Sequence, residues 1–213
     1  MVEYNKINAF NENHLSDHKR NWDFLMESLA HKSIDLDELI NEIGNFQISI
    51  PSWALGTGGT RFGRFPQGGE PSCLEEKIRD VGTLHALNKS SGAISVHIPW
   101  DIPNNYDKIK KLAEGLNIKF DAVNSNTFQD QLSSKLSYKF GSLSHVDHGV
   151  RKEAIQHNKE VIDHGIQLGS KSLTVWLADG TSFAGHHTFR STAQRTLAST
   201  PLAEHHWHPD ATV

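Results

Sequence analysis

Four short apolar runs in this chain each end on residues that could handle a small polar molecule. Ala93-Ile94-Ser95-Val96-His97-Ile98 leads into Pro99-Trp100-Asp101, and Phe46 to Ile50 leads into Pro51-Ser52-Trp53. Ile118 to Val123 leads into Asn124-Ser125-Asn126-Thr127-Phe128, and Leu173 to Ala178 carries Trp176 and runs into Asp179. A neutral imidazole such as His97 can give or take a proton near neutral pH. An indole or phenyl face covers the apolar C–H side of a sugar, while His, Asn and Asp exchange hydrogen bonds with its hydroxyls. Each residue alone has a plain structural reading, since a strand tryptophan fills cores and a strand-end Asp caps helices. Gathered at one end of one sheet, they describe a carbohydrate pocket.

The elements that must gather them are legible as periodicity. Ile94, Val96 and Ile98 alternate with Ser95 and His97, a strand pattern halted by Pro99. Ser16 is expected to cap a helix carrying Trp22, Leu25, Met26 and Leu29. Asp35 opens a second helix with Leu36, Leu39, Ile40 and Ile43 as its stripe and Gly44 as its stop. Further helices are expected over 74–88 and 105–116, after Asp147 as far as Gly169, and over 189–198. Strand and helix alternate, with long loops after strands and short returns after helices. That is a parallel sheet of βα units, with the asymmetry a TIM barrel uses to build its reaction face.

The expected fold class is therefore α/β of TIM-barrel type: the first four βα units of a (β/α)8 barrel behind N-terminal helices. The division expected is 1–45 for those helices, 46–199 for the half-barrel, and 200–213 for an irregular His-rich tail.

Composition narrows the partners. With 37% hydrophobic residues, 213 residues suffice for one domain with a real core. A net charge of -4 leaves no basic footprint for nucleic acid. No run approaches a membrane span and the start has no signal-peptide core, so a soluble cytoplasmic protein is expected. The single Cys73 rules out an internal disulfide framework and a cysteine-rich zinc site. The glycine-rich loop between Ser52 and Glu70 lacks the P-loop lysine pattern and is not a nucleotide cradle. His186-His187 and His205-His206-Trp207-His208 resemble metal-ligand clusters, but adjacent histidines point different ways, and no metal site is assigned to them.

Several of these segments have wording as well as pattern. PSWALGTGGTRFGRFP, SVHIPWD, FDAVNSNTF, SYKFGSLSH and EAIQHNKEVIDHGIQLGSKSLTVWLADGTSF together resemble the bacterial L-rhamnose isomerases of the xylose-isomerase-like barrel superfamily, from about Phe46 to Phe183. The resemblance implies a metal-dependent aldose–ketose isomerase on a (β/α)8 barrel, usually tetrameric, using manganese or a similar divalent ion. It implies that His97 sits by the sugar ring oxygen and is associated with ring opening. It further implies that Trp53, Phe128 and Trp176 line the sugar, and that Phe62 reaches into a neighbouring subunit's pocket.

The departures shape the rest of the expectation. The resemblance places the metal ligands on strands five to eight, which this sequence does not contain, and Ala184 and His186 stand where it has proline and glutamine. A truncated product, ending out of frame, is the reading this suggests, with no metal ligand in the chain and little or no isomerase activity on its own. An open half-barrel exposes sheet edges, so self-association is expected. The competing readings are a folded carbohydrate-binding remnant without chemistry, and another metal-dependent barrel enzyme such as an epimerase or endonuclease-like hydrolase.

Overall fold

The computed structural model describes residues 3–56, 68–130, 134–177 and 189–207. Three helices come first, α1 (Tyr4–Asn13), α2 (Leu15–Ala30) and α3 (Leu36–Asn45). Then strand and helix alternate: β1 (Ser49–Pro51), α4 (Leu74–Asn88), β2 (Ala93–Ile98), α5 (Tyr106–Gly115), β3 (Lys119–Ser125), α6 (His148–Leu168), β4 (Ser172–Val175) and α7 (Phe189–Trp207). The strands form one parallel sheet in the order β1-β2-β3-β4. This is the βα progression of a TIM-type barrel, in the order the sequence predicts.

The core lies between this sheet and its helices. Ile94, Val96 and Ile98 are at most 2% exposed and pack against Leu74, Ile78 and Val81 of α4, Ile109 and Ala113 of α5, and Val161 and Leu168 of α6. Burying a side chain of this kind is worth roughly 1.5–3 kcal/mol. The opposite face of the sheet is polar. There Ser49 and Ser95 share a hydrogen bond of 2.7 Å, and Ser95 Oγ lies 3.4 Å from Asp121 Oδ2.

Local chemistry sets the helix ends. Asp35 Oδ1 accepts from the Glu38 N–H at 3.0 Å, Asn105 Oδ1 from Lys108 at 2.9 Å, and Asp147 Oδ1 from Gly149 at 2.7 Å. Each satisfies a backbone donor that the first helical turn leaves open. Gly169 closes α6 in the left-handed region at φ 82.

The structure departs from the sequence reading at the two ends. Helix α1 was not anticipated: its sequence YNKINAFNEN is polar, and Ile7 alone among its described side chains is buried. Helix α2 begins at Leu15 with no side-chain cap, so Ser16 lies inside its first turn. It buries none of its residues, and Leu25 and Met26 stay exposed. β1 is shorter than expected, because Phe46 and Ile48 are exposed and only Ser49–Pro51 pair with β2. The last helix runs to Trp207, past the expected end at Ala198, so the backbone is helical across 200–207 where an irregular tail was expected. No helix among the described residues is long and apolar enough to cross a membrane.

Candidate aromatic cup around His97

Strand β2 delivers His97 to the carboxyl end of the sheet, where its register places it beside Asn124 of β3. The chain then turns back through Pro99, and the Asp101 N–H donates to the His97 carbonyl at 2.9 Å. That turn lays Trp100 on the imidazole, with ring centroids 3.9 Å apart and planes 17° from parallel. Trp53, in the 3-10 turn that follows β1, meets the imidazole edge-on at 5.6 Å, and Phe128 does the same at 5.6 Å from the β3 side. Phe128 in turn contacts Trp176, just past β4, at 5.3 Å. Thus His97, Trp53, Phe128 and Trp176, which the sequence singles out one strand at a time, come together, with Trp100 completing the ring. Trp176 forms the outer wall and is 58% exposed.

His97 is 2% exposed, and among the described residues neither Nδ1 nor Nε2 has a hydrogen-bond partner. Burial pushes its pKa down to about 4, against the pull of the nearby Asp101 carboxylate, with His157 and Lys77 adding to the depression. The ring is therefore neutral at physiological pH, carrying one N–H donor and one free nitrogen acceptor. Leaving a buried polar group unmatched costs about 1–3 kcal/mol. A built cup with an unmatched donor and acceptor at its base suits a ligand that brings hydroxyls.

Asp101 does something other than what its position suggests. The sequence reading puts it among groups meeting a sugar's hydroxyls, and a strand-end Asp otherwise caps the next helix. In the structure Asn105 caps α5, while the Asp101 carboxylate turns inward. Oδ1 accepts from Lys77 Nζ at 2.7 Å, and Oδ2 accepts from the Ser52 hydroxyl and, at 2.7 Å, from the His97 backbone N–H. One buried carboxylate so ties α4 to the turn after β1 that carries Trp53 and to the end of β2, which carries His97. Asn124 is likewise structural: its Nδ2 donates to the Val96 carbonyl at 3.0 Å and braces β2 against β3.

Two supporting residues were invisible to the sequence reading as functional candidates. Lys77 is 1% exposed, on the same face of α4 as Leu74, Ile78 and Val81. His157 lies on α6 three residues after the buried Ala154, and its Nε2 accepts from the Asn126 N–H at 3.2 Å. The available signal was a charged or titratable residue set into an apolar helical stripe. Phe62, Asp179, His186, His187 and His208 lie outside the described residues. Among the described residues no three His, Cys, Asp or Glu side chains come together in a way that could hold a metal ion.

These features define a class by fold: four consecutive βα units of a TIM-type barrel, with an aromatic cup at the carboxyl ends of the strands. Over 77% of its length the chain superposes on a D-allulose 3-epimerase from Methylomonas sp., with a TM-score of 0.51 and 12% identity, covering 48% of that chain. That likeness is one of fold. In sequence the chain is 40% identical over 199 residues to a probable sugar isomerase of Rhizobium meliloti (strain 1021), covering 93% of this chain and 46% of that protein. It is 45% identical over 181 residues to a probable sugar isomerase of Mesorhizobium japonicum, covering 85% of this chain and 42% of that protein. The chain spans about half the length of the curated relatives it matches. No protein-family model matches it.

Proposed function

We propose that this chain is a sugar-isomerase chain of the L-rhamnose isomerase kind, and that the cup around His97 is its aldose-binding wall. The observation that carries the reading is a neutral, buried imidazole, both nitrogens unmatched among the described residues, framed by Trp53, Trp100 and Phe128. The similarity to two probable sugar isomerases supports it. Trp53, Phe128 and Trp176 would cover the C–H face of the sugar, and His97 would meet its ring oxygen and anomeric hydroxyl. Opening a pyranose moves a proton from the anomeric hydroxyl to the ring oxygen. A neutral imidazole can take a proton at one nitrogen and give one at the other, which matches that transfer. The same reading includes a cytoplasmic homo-oligomer, a tetramer in the L-rhamnose isomerases, with Phe62 completing a neighbour's pocket.

Manganese or a similar divalent ion, when bound, would polarise the sugar's O1 and O2 during the hydrogen shift between C1 and C2. The described residues do not fit such an ion. Asp101 is held by Lys77, Ser52 and the His97 backbone N–H, and no cluster of three ligating side chains forms among the described residues. This chain's own part is to bind, orient and open the sugar. A second reading is carbohydrate binding without chemistry, in keeping with an Asp101 carboxylate engaged by Lys77 and Ser52.

Tryptophan fluorescence of the purified chain titrated with L-rhamnose and other aldoses tests the proposal. A saturable change that survives chelation with EDTA is expected, and the absence of saturation with every aldose would refute a sugar-binding cup. A coupled assay for ketose separates the two readings: metal-dependent turnover supports the isomerase, and binding without turnover supports the silent binder.

A further inference from the structure

We propose that His157 is a positioning residue for the aromatic cup, holding Phe128 in place through the backbone of Asn126; as a statement about sugar recognition, this rests on the reading above. The pairing of β3 ends at Ser125, which lies opposite Ile98 and Val175. The next N–H, that of Asn126, is met by a side chain from α6: His157 Nε2 accepts it at 3.2 Å. The following residue, Thr127, is 1% exposed and donates its hydroxyl to the Trp176 carbonyl at 3.1 Å. Phe128 comes next, edge-on to His97 and against Trp176. The turn that presents Phe128 is thus fastened at two consecutive residues, to α6 and to the end of β4.

Only a neutral imidazole with its proton on Nδ1 can accept at Nε2. Burial lowers the pKa of His157, with His164 adding to the depression and Glu160 and Glu153 opposing it, so the acceptor form is retained. Its Nε2 is spent on the Asn126 N–H rather than turned toward the rings. Its role is to set the orientation of the phenyl wall beside His97, and its loss would let the turn and the ring drift apart from the imidazole.

The interaction can be read directly in the wild-type chain as a 15N–15N coupling across the hydrogen bond between Asn126 and His157. The variants are His157→Leu, which fills the space without an acceptor, and His157→Gln, whose Oε1 falls near the original Nε2. In His157→Leu the Asn126 amide should exchange about tenfold faster relative to the Val123 amide, which serves as the reference for global stability. The His97 ring-proton resonances, shifted by Phe128 and Trp100, should move, and affinity for L-rhamnose should fall about fivefold. His157→Gln should restore all three. No coupling in the wild type overturns the proposal, as does a leucine variant with unchanged His97 resonances or a glutamine variant as impaired as leucine. If wild-type chain binds no aldose while the coupling and resonance shifts are present, the sugar reading fails and the positioning role stands.

Discussion

Lys77 Nζ and Asp101 Oδ1 lie 2.7 Å apart, with both side chains at most 2% exposed, and both charges act on the imidazole of His97. Asp101 also accepts from Ser52 and from the His97 backbone N–H, so the pair joins a helix to two strand ends. Removing one partner leaves a charge buried without compensation. Lys77→Met should therefore cost about 3–5 kcal/mol in urea unfolding. Adding Asp101→Asn removes the stranded charge but keeps an oxygen acceptor, and should recover a large part of that loss. A double variant no more stable than Lys77→Met would show that the damage is lost packing rather than charge.

The depressed pKa of His97 makes stability depend on pH in a defined window. The folded value is about 4 and the unfolded value about 6.5, so the unfolded chain binds the proton more readily between them. The stabilisation is complete above pH 6.5, declines as the pH falls toward 4, and levels off below. Its size is roughly 3 kcal/mol. His85, His157 and His164 are also pushed down by burial and add slope of the same sign. Comparing wild type with His97→Gln across pH 4–7 by urea unfolding isolates the contribution of His97. Parallel curves for the two proteins would contradict the neutral, buried imidazole.

Trp176 and Phe128 should separate binding from folding. Trp176 is 58% exposed, so Trp176→Ala should change stability by no more than about 1 kcal/mol. The same variant should weaken L-rhamnose binding by at least about fivefold in a calorimetric or fluorescence titration. Phe128→Ala removes the ring between His97 and Trp176 and should cost about 2 kcal/mol in stability as well as affinity. Unchanged affinity in Trp176→Ala would remove that tryptophan from the binding wall.

The ends of α6 offer a check on local chemistry. Asp147→Ala leaves the Gly149 N–H without its acceptor and should cost about 1 kcal/mol. At the other end, Gly169→Ala forces a side chain into φ 82 and should cost about 1–2 kcal/mol, although a Cβ there meets nothing within 4 Å. Thermal unfolding of both variants measures these costs. A neutral Gly169→Ala would show that the turn relaxes to another conformation.

The strand order, the helices α3 to α6 and the strand-end places of His97, Trp53, Phe128 and Trp176 were legible in the chain, because they depend on short-range pattern. Alternation marks β2, Asp147 and Gly169 bracket α6, and strand-end tryptophans announce where a parallel sheet concentrates its polar face. The polar helix α1 was not legible, since it buries only Ile7 among its described side chains and carries too few apolar residues for its period to show. Nor was the idleness of the expected stripe on α2, because amphipathic spacing predicts a face and not its partner.

What the amino-acid order determined by itself was which residues stand at the ends of which strands. What only the tertiary structure decided was what each of them faces. Asp101 looked like a pocket carboxylate until Lys77 arrived from α4, and His157 looked like one helical histidine among several until α6 laid it against the Asn126 N–H. The physical reason is that periodicity reports burial, which is a property of one element. Pairing of a charge or a hydrogen-bond donor joins residues 24 and 31 positions apart and exists only once the elements have packed.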